Sequence, residues 1–229
     1  MSSMKSKSLA IFNSNDIYPI SADSTLPFQQ HRDIFYLSGK DQEESVLLLF
    51  PDAINKNHRE ILFIIKSSKN LMIWEGEKLS KKQAQNLSGI SSIYWLNKFE
   101  DIFKSLCSEC DIFYFNTNEH YRQNVTTQTR EDRFIIDCKT KYPAHKSEKS
   151  NPILQKLRSV KSNEEIRLMK SAALISEKGM STAMEVINPG VRQCDAVAEI
   201  QKTLFKGTSE LSLIHISEPT RRYAISYAV

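Results

Sequence analysis

The stretch S-V-L-L-L-F-P-D-A-I-N-K-N-H-R-E-I-L-F-I-I, from Ser45 to Ile65, decides the fold class. It holds two apolar runs, residues 45–50 and 60–65, and a polar turn between them that opens with Pro51 and Asp52. Short continuous apolar runs bounded by turn residues are typical of strands that are covered on both faces. We therefore predict a central sheet with helices packed on either side.

Similar patterns flank this pair and extend the prediction to an α/β domain. Strands are predicted at 8–12, 33–37 (D-I-F-Y-L, ending at Ser38-Gly39), 92–96 and 111–115, and helices at 80–87 and 98–109. The 33–37 segment is assigned to a strand because of its aromatic and β-branched residues.

The composition of the chain indicates which classes of binding partner to expect. The chain has 229 residues, 40% of them hydrophobic and 25% charged, which is ordinary for a globular protein. The net charge of +4 is spread along the chain rather than gathered in a basic stripe, so we expect no nucleic-acid partner. No apolar run is long enough to cross a bilayer, and Met1–Leu9 lacks a signal-peptide core, so we expect no membrane contact and a cytoplasmic location.

The four cysteines are expected to be reduced thiols. Cys107 and Cys110 form a C-x-x-C pair on one face of the predicted helix at 98–109, but no second pair follows at zinc-site spacing. Because a free cysteine is usually a small buried hydrophobe, that interpretation is favoured over a redox or metal role for the pair.

The second half of the chain reads differently. We predict an N-terminal domain at 1–142, a linker at 143–156 rich in polar residues, and the start of a second domain at 157–210. Ser162 and Glu165 form a capping box at the start of a helix that ends at Asn188-Pro189-Gly190. A second amphipathic helix is predicted from Gln193 to Lys206. Both helices carry an apolar stripe, which is typical of an incomplete domain.

The last residues are interpreted as an artefact. The stretch L-S-L-I-H-I-S-E-P-T-R, from Leu211 to Arg221, is identified as the translation of a transposase-type sequencing adapter, and I-S-Y-A-V at 225–229 continues it. We therefore expect the native sequence to end near Glu210 and residues 211–229 to carry no fold or function.

Several blocks resemble the aminopeptidase P N-terminal domain. They are N-S-N-D (13–16), P-F-Q-Q-H-R-D-I-F-Y-L-S-G (27–39), S-V-L-L-L-F-P-D-A (45–53), H-R-E-I-L-F (58–63), I-W-E-G (73–76), N-T-N-E-H-Y-R (116–122) and R-E-D-R-F (130–134). The segment L-R-S-V-K-S-N-E-E-I, from Leu157 to Ile166, resembles the entry into the catalytic domain shared by aminopeptidase P, prolidase and creatinase. The resemblance implies an α/β N-terminal domain with a mixed sheet and flanking helices, followed by two helices of a pita-bread domain.

The resemblance also implies a function for a full-length relative. It would be an Xaa-Pro aminopeptidase that removes the residue preceding proline, with two manganese ions held by Asp, His and Glu side chains. Peptides with proline in second position would be its substrates, and it would form a homo-oligomer. We expect this chain itself to bind no metal and to be inactive, since none of its residues matches the family's metal ligands.

Three alternatives remain open. Residues 190–200, G-V-R-Q-C-D-A-V-A-E-I, resemble the ectoine-hydrolase branch of the superfamily, so the parent could be another hydrolase or the chain a chimera joined near the linker. The chain could also be a non-catalytic interaction or oligomerisation module.

The chain offers no self-contained catalytic site by spacing. No two histidines have chelating spacing, and no glycine-rich phosphate loop or nucleophile elbow occurs. The acidic residues Glu131, Asp132 and Asp137 alternate with basic ones and are interpreted as a salt-bridged surface. We predict no catalytic or metal-binding residue, and we expect the aromatic residues near 28–36 to lie in the sheet core. The candidate interface or structural residues are Phe28, Gln29, Arg32, Asp33, Tyr36, Gly39 and His120.

Overall fold

The computed structural model describes residues 1, 3–22, 24–68, 72–73, 76–117 and 126–207. The chain divides into two compact units, the first being Met1–Leu157. The second begins at Arg158 and is described as far as Gly207.

The first unit is built on a mixed sheet. Its strands are β1 (Ser8–Asn13), β2 (Pro19–Ser21), β3 (Ser24–Thr25), β4 (Val46–Leu49), β5 (Glu60–Ile64), β6 (Ser92–Trp95), β7 (Ile112–Phe115) and β8 (Lys146–Lys149). Six of them form one sheet in the order β6-β5-β4-β1-β7-β8, and β2 and β3 form a separate hairpin. β4 runs antiparallel to β1 and β5, whereas the other neighbours in the sheet are parallel. The α/β class with a mixed sheet and flanking helices is confirmed.

Among the described residues, helices with defined bounds occur in both units. They are α1 (Arg32–Ser38), α2 (Lys81–Ser88), α3 (Phe99–Cys107), α4 (Arg130–Lys141), α5 (Asn151–Ser159), α6 (Asn163–Val186) and α7 (Gln193–Gly207). The helices predicted at 80–87 and 98–109 correspond to α2 and α3. α2 begins at a capping box formed by Ser80 and Gln83, which satisfies backbone amides that the helix itself cannot pair.

The sheet separates two apolar cores. All six residues of β1 are buried, and its side chains alternate between the faces. Leu9 and Ile11 lie in the core covered by α3 and α4, while Ala10 and Phe12 lie in the core covered by α1, α2 and α5. Burial on both faces explains why the strands read as continuous apolar runs.

The predicted strand at 33–37 is wrong, because these residues form α1. His31 caps the helix by accepting a hydrogen bond from the Asp33 amide, and Gly39 ends it with φ 64°. A left-handed backbone at a helix end favours glycine. Only Ile34 and Ser38 are buried on this helix, four residues apart, so one face of a helix accounts for the pattern.

This helix also changes the expected place of the aromatic side chains. Phe50 is buried in the core, but Phe28 and Phe35 are only half-buried and Tyr36 is exposed. A helix that buries Ile34 turns its neighbours at 35 and 36 away from the sheet.

The structure also corrects the linker predicted at 143–156. Lys146–Lys149 form β8, the edge strand of the sheet, and α5 follows from Asn151. The segment is polar because an edge strand is exposed on its outer side, not because it is unstructured. Leu154 of α5 is buried in one of the cores of the first unit, which therefore extends to Leu157.

The described part of the second unit contains α6 and α7, packed antiparallel. The Ser162–Glu165 capping box is confirmed at the start of α6. The helices approach closely at Gly179, where a Cβ atom would lie 2.7 Å from the Leu204 side chain. Apolar side chains on the remaining surface are exposed, among them Met169, Met180, Met184 and Phe205. Among the described residues, no helix is long and apolar enough to cross a membrane.

We predict that Leu48→Ala lowers the free energy of unfolding of the first unit by about 2–5 kcal/mol, because it opens a cavity in a fully buried strand. Leu87→Ala is the matched control, since Leu87 is 64% exposed, and its effect should stay within about 0.5 kcal/mol. Urea unfolding followed by far-UV circular dichroism measures both. Equal effects would contradict the assignment of β4 to the centre of the core.

Candidate functional site

Polar side chains gather where β1, β7 and β8 end. These three strands are parallel, so their carboxyl ends meet at one edge of the sheet, and the antiparallel β4 begins there. Asn13, Asn116 and Ser150 come at or just after the three strand ends, and Ser45 precedes β4. The carboxyl edge of an α/β sheet is where such folds place their ligand sites. We call this region the carboxyl edge.

Glu131, in the first turn of α4, lies at the carboxyl edge. Its Oε2 accepts hydrogen bonds from Asn13, 2.9 Å from the side-chain amide and 3.3 Å from the backbone nitrogen. Its Oε1 is buried and has no hydrogen-bond partner among the described residues. Desolvation raises the pKa of this carboxyl group to about 7, and the hydrogen bonds from Asn13 and from the backbone of Asn116 only partly oppose that shift. Glu131 therefore titrates near neutral pH.

A second set of contacts joins His31 to Asn116 and Ser150. His31 Nδ1 lies 3.2 Å from Asn116 Nδ2 and 3.3 Å from the backbone nitrogen of Asp33. Both neighbours are donors, so Nδ1 acts as the acceptor and the ring proton of a neutral imidazole belongs on Nε2. Ser150 Oγ donates to the Phe115 carbonyl at 3.0 Å and lies 3.3 Å from Asn116 Oδ1.

Charged groups surround these contacts. Asp16 accepts a hydrogen bond from the backbone nitrogen of Arg130 at 2.7 Å and forms an ion pair with Arg133. Arg130 Nη1 lies 3.1 Å from Ser14 Oγ and 3.3 Å from a carboxylate oxygen of Glu44. A carboxylate on the first amides of a helix is favourable because the helix dipole is positive there. These bonds hold the start of α4 against the segment that follows β1.

The structure brings some of the predicted site residues to the carboxyl edge and places others elsewhere. The carbonyl of Gln29 accepts a hydrogen bond from Asn15 Nδ2 at 2.9 Å, and Asp33 contacts His31, so both lie at the carboxyl edge. Phe28 is half-buried, and Gly39 ends α1.

Two of the remaining predicted residues face away from the sheet. Arg32 and Tyr36 are exposed on α1. His120 lies outside the described residues, as does the stretch 211–229.

The sequence interpretation missed Glu131. It assigned this residue to a salt-bridged surface, which is wrong because the carboxyl group is buried against Asn13. Thr129 and Asp132 form a capping box that marks the start of α4. That signal, followed by apolar residues at Ile135 and Cys138, could have identified the helix.

Three of the four cysteines have no reactive environment. Cys107, Cys110 and Cys138 are all buried in the core under α3 and α4. Burial raises the pKa of Cys107 to about 11 and that of the other two to about 12, so all three are neutral thiols at physiological pH. This agrees with the prediction that the C-x-x-C pair is structural. Among the residues that the structure describes, no group of three or more His, Cys, Asp or Glu could hold a metal ion.

Another surface feature lies past the carboxyl ends of β5 and β6, which run in the same direction as β1 on the other side of β4. A groove of about 350 Å³ is lined by Ile65, Lys66, Trp95, Leu96 and Asn97. Lys81 Nζ stands 5.1 Å from the centre of the Trp95 ring, within cation–π range. The lining contains no acid, base or nucleophile arranged for catalysis, so the groove adds no chemistry to the carboxyl edge.

Four blocks that are far apart in sequence thus converge at the carboxyl edge: 13–16, 29–33, 116 and 130–133. They are parts of the blocks that resemble aminopeptidase P, and residues 1–114 match the family "Aminopeptidase P, N-terminal domain". This part of the chain belongs to that family.

Individual relatives agree with this assignment. The Xaa-Pro aminopeptidase of Escherichia coli is 25% identical over 181 residues, which cover 79% of this chain and 41% of the relative. The chain therefore spans less than half of that relative's length.

Solved structures show the same fold. A putative aminopeptidase P from Bacillus anthracis superposes with a TM-score of 0.79 at 22% identity, over 90% of this chain and 49% of that one. Zinc-substituted Escherichia coli aminopeptidase P in complex with product gives a TM-score of 0.72 at 21% identity, over 90% and 47% of the two chains. The latter protein is a metalloenzyme.

We predict that Glu131→Gln removes a pH dependence of stability. The folded state holds the Glu131 proton up to about pH 7, whereas an unfolded glutamate loses it near 4.5. The unfolding free energy should therefore fall as pH rises from 4.5 to 7, and the variant should gain up to about 3 kcal/mol over the wild type above pH 7.

Urea unfolding at pH 4.5, 6 and 8 measures this difference. Glu100→Gln is the control, because Glu100 lies exposed in the first turn of α3 and should leave the slope unchanged. A wild-type slope that persists in Glu131→Gln would show that the carboxyl group is not buried.

Proposed function

We propose that this chain is part of an Xaa-Pro aminopeptidase, a peptidase that removes the N-terminal residue preceding proline. The observation that carries the proposal is the convergence of four segments at the carboxyl edge, two of which (13–16 and 29–33) lie within the residues 1–114 that match the aminopeptidase P N-terminal domain. Similarity to an Xaa-Pro aminopeptidase over 79% of the chain supports it.

We propose that catalysis belongs to other parts of the whole protein and depends on two manganese ions. Manganese favours carboxylate and imidazole ligands, and paired ions can activate a bridging water and polarise the scissile carbonyl. The described residues offer no matching set of side chains, so manganese does not fit this part of the molecule. The 229-residue chain alone is then inactive.

In this proposal the first unit acts as a positioning and assembly domain. The hairpin of β2 and β3 follows directly on Asp16, which the carboxyl edge holds in place through Arg130 and Arg133. Apolar side chains are exposed on or beside the hairpin, with Ile17 at 41%, Tyr18 at 43% and Ile20 at 58%. Exposed apolar groups on a rigid base favour protein contacts, which supports a homo-oligomer.

An activity assay tests the proposal. We expect the longest natural protein that contains residues 1–207 to cleave a tripeptide with proline in second position when loaded with Mn²⁺, and to lose that activity on chelation. The same tripeptide with alanine in second position is the substrate control. The 229-residue chain, assayed at the same concentration with Mn²⁺, should show no cleavage.

Each alternative has its own outcome. Cleavage by the 229-residue chain would contradict the assignment of catalysis to another part of the protein. A longer protein that does not cleave the proline peptide but hydrolyses a small cyclic or acyl amide would be another hydrolase of the superfamily. A longer protein with neither activity would be an interaction module.

A further inference from the structure

The connection between α1 and β4 buries an unusual number of polar side chains. Ser38, Lys40, Gln42 and Ser45 are each at most 4% exposed, and Gln30 packs beside them at 7%. Buried polar groups in folded proteins almost always have hydrogen-bond partners. Each donor and acceptor of this segment can therefore be followed to its partner.

Most of these groups are satisfied within the segment. Ser38 Oγ donates to the carbonyl four residues earlier at 2.6 Å and accepts from the backbone nitrogen of Lys40 at 3.3 Å. Gln30 Nε2 donates to the Gln42 carbonyl at 2.8 Å and lies 3.4 Å from Ser45 Oγ. Ser45 Oγ donates to the same Gln42 carbonyl.

Two donors remain without an acceptor. Lys40 Nζ and Gln42 Nε2 are buried and have no hydrogen-bond partner among the residues that the structure describes. The orientation of the Gln42 amide is fixed, because its Oε1 accepts from the backbone nitrogen of Leu79 at 3.0 Å. Turning the amide over would set a donor against that N–H group. Nε2 is therefore a true donor.

The two donors belong to side chains that are buried two residues apart in the chain. Burial alternates along this stretch, with Gly39 and Asp41 exposed and Lys40 and Gln42 buried. Both side chains therefore point into the interior of the first unit.

The neighbouring carboxylates of Glu43 and Glu44 form ion pairs with residues other than Lys40. Glu43 forms an ion pair with Lys78, and Glu44 pairs with Arg130. Burial lowers the pKa of Lys40 to about 8, and no neighbouring charge offsets the shift. A buried cation is costly unless a negative charge compensates it.

We propose that Lys40 and Gln42 form a binding site for a small monovalent anion, either a halide or a carboxylate of formate size. One negative charge compensates the ammonium group, and one acceptor satisfies both remaining donors. Because Lys40 is only 1% exposed, the site is closed and excludes larger anions.

Thermal unfolding of the 229-residue chain tests the site. Sodium chloride and sodium formate are titrated separately, and sodium gluconate, whose anion is too large, keeps the ionic strength constant. Binding to the folded state should raise Tm along a saturable curve, by about 3–6 °C at a tenfold excess over the dissociation constant. Comparison of the two salts shows whether the site prefers a halide or a carboxylate. Chloride binding is checked independently by the broadening of the chlorine NMR line.

Three variants separate this site from general salt effects. Lys40→Met removes the cation and should abolish the Tm response. Gln42→Glu keeps the acceptor for Leu79 and supplies an internal carboxylate, so it should unfold at a higher temperature than the wild type in gluconate and respond to neither anion. Lys82→Met changes an exposed lysine on α2 and should keep the full response.

The outcomes decide the proposal. A saturable response that is lost in Gln42→Glu and kept in Lys82→Met supports it, even if Lys40→Met fails to fold. A linear rise of Tm that is equal in all folded variants would overturn it, as would a wild type with no response and no line broadening. The latter result would mean that water satisfies both donors.

Discussion

When both faces of a strand are closed to water, its backbone N–H and C=O groups need hydrogen-bond partners in the neighbouring strands. β1 meets this condition with β4 on one side, where Ala10 is opposite Leu49, and β7 on the other, where Ala10 is opposite Tyr114. The alternation of its side chains then supplies both apolar cores. The order of the other strands and the position of the helices follow from the placement of this strand in the middle of the sheet.

The polar residues of the candidate site begin at the end of the same strand. Asn13 is the last residue of β1, and from this point the side chains are carboxylates, amides, hydroxyls and a guanidinium rather than apolar groups. Four segments that the chain brings from distant positions are tied together here by direct hydrogen bonds. Such an edge fixes the β2–β3 hairpin and the start of α4 relative to one another. A positioning role in a larger peptidase needs this rigidity.

Much of the sheet could be predicted from the sequence, because strands buried on both faces leave an unambiguous apolar run. The runs at 45–50 and 60–65 correspond to β4 and β5 within two residues. α1 was missed because D-I-F-Y-L has strand-like composition, whereas His31 and Gly39 supply the helix caps. β8 was missed because K-S-E-K is an exposed edge strand whose pairing depends on its neighbour β7, not on its own residues.

The candidate site was harder to predict than the sheet. Gln29 and Asp33 were identified through the family resemblance, but Glu131 looked like one member of a mixed surface cluster. Its burial depends on the amide of Asn13, which is 118 positions away along the chain. Sequence spacing carries no information about such a contact. The unpaired donors of Lys40 and Gln42 are equally invisible, because only the packed structure shows which acceptors are already occupied.

Native-state hydrogen exchange at the carboxyl edge tests this account most directly. The backbone amides of Asn13 and Arg130 donate to the side-chain carboxylates of Glu131 and Asp16, respectively. If the edge is one rigid junction, both amides exchange as slowly as the amides of residues 9–12 within β1, through unfolding of the whole unit. If they exchange rapidly while residues 9–12 of β1 remain protected, the four segments are not held together. That result would contradict the positioning role.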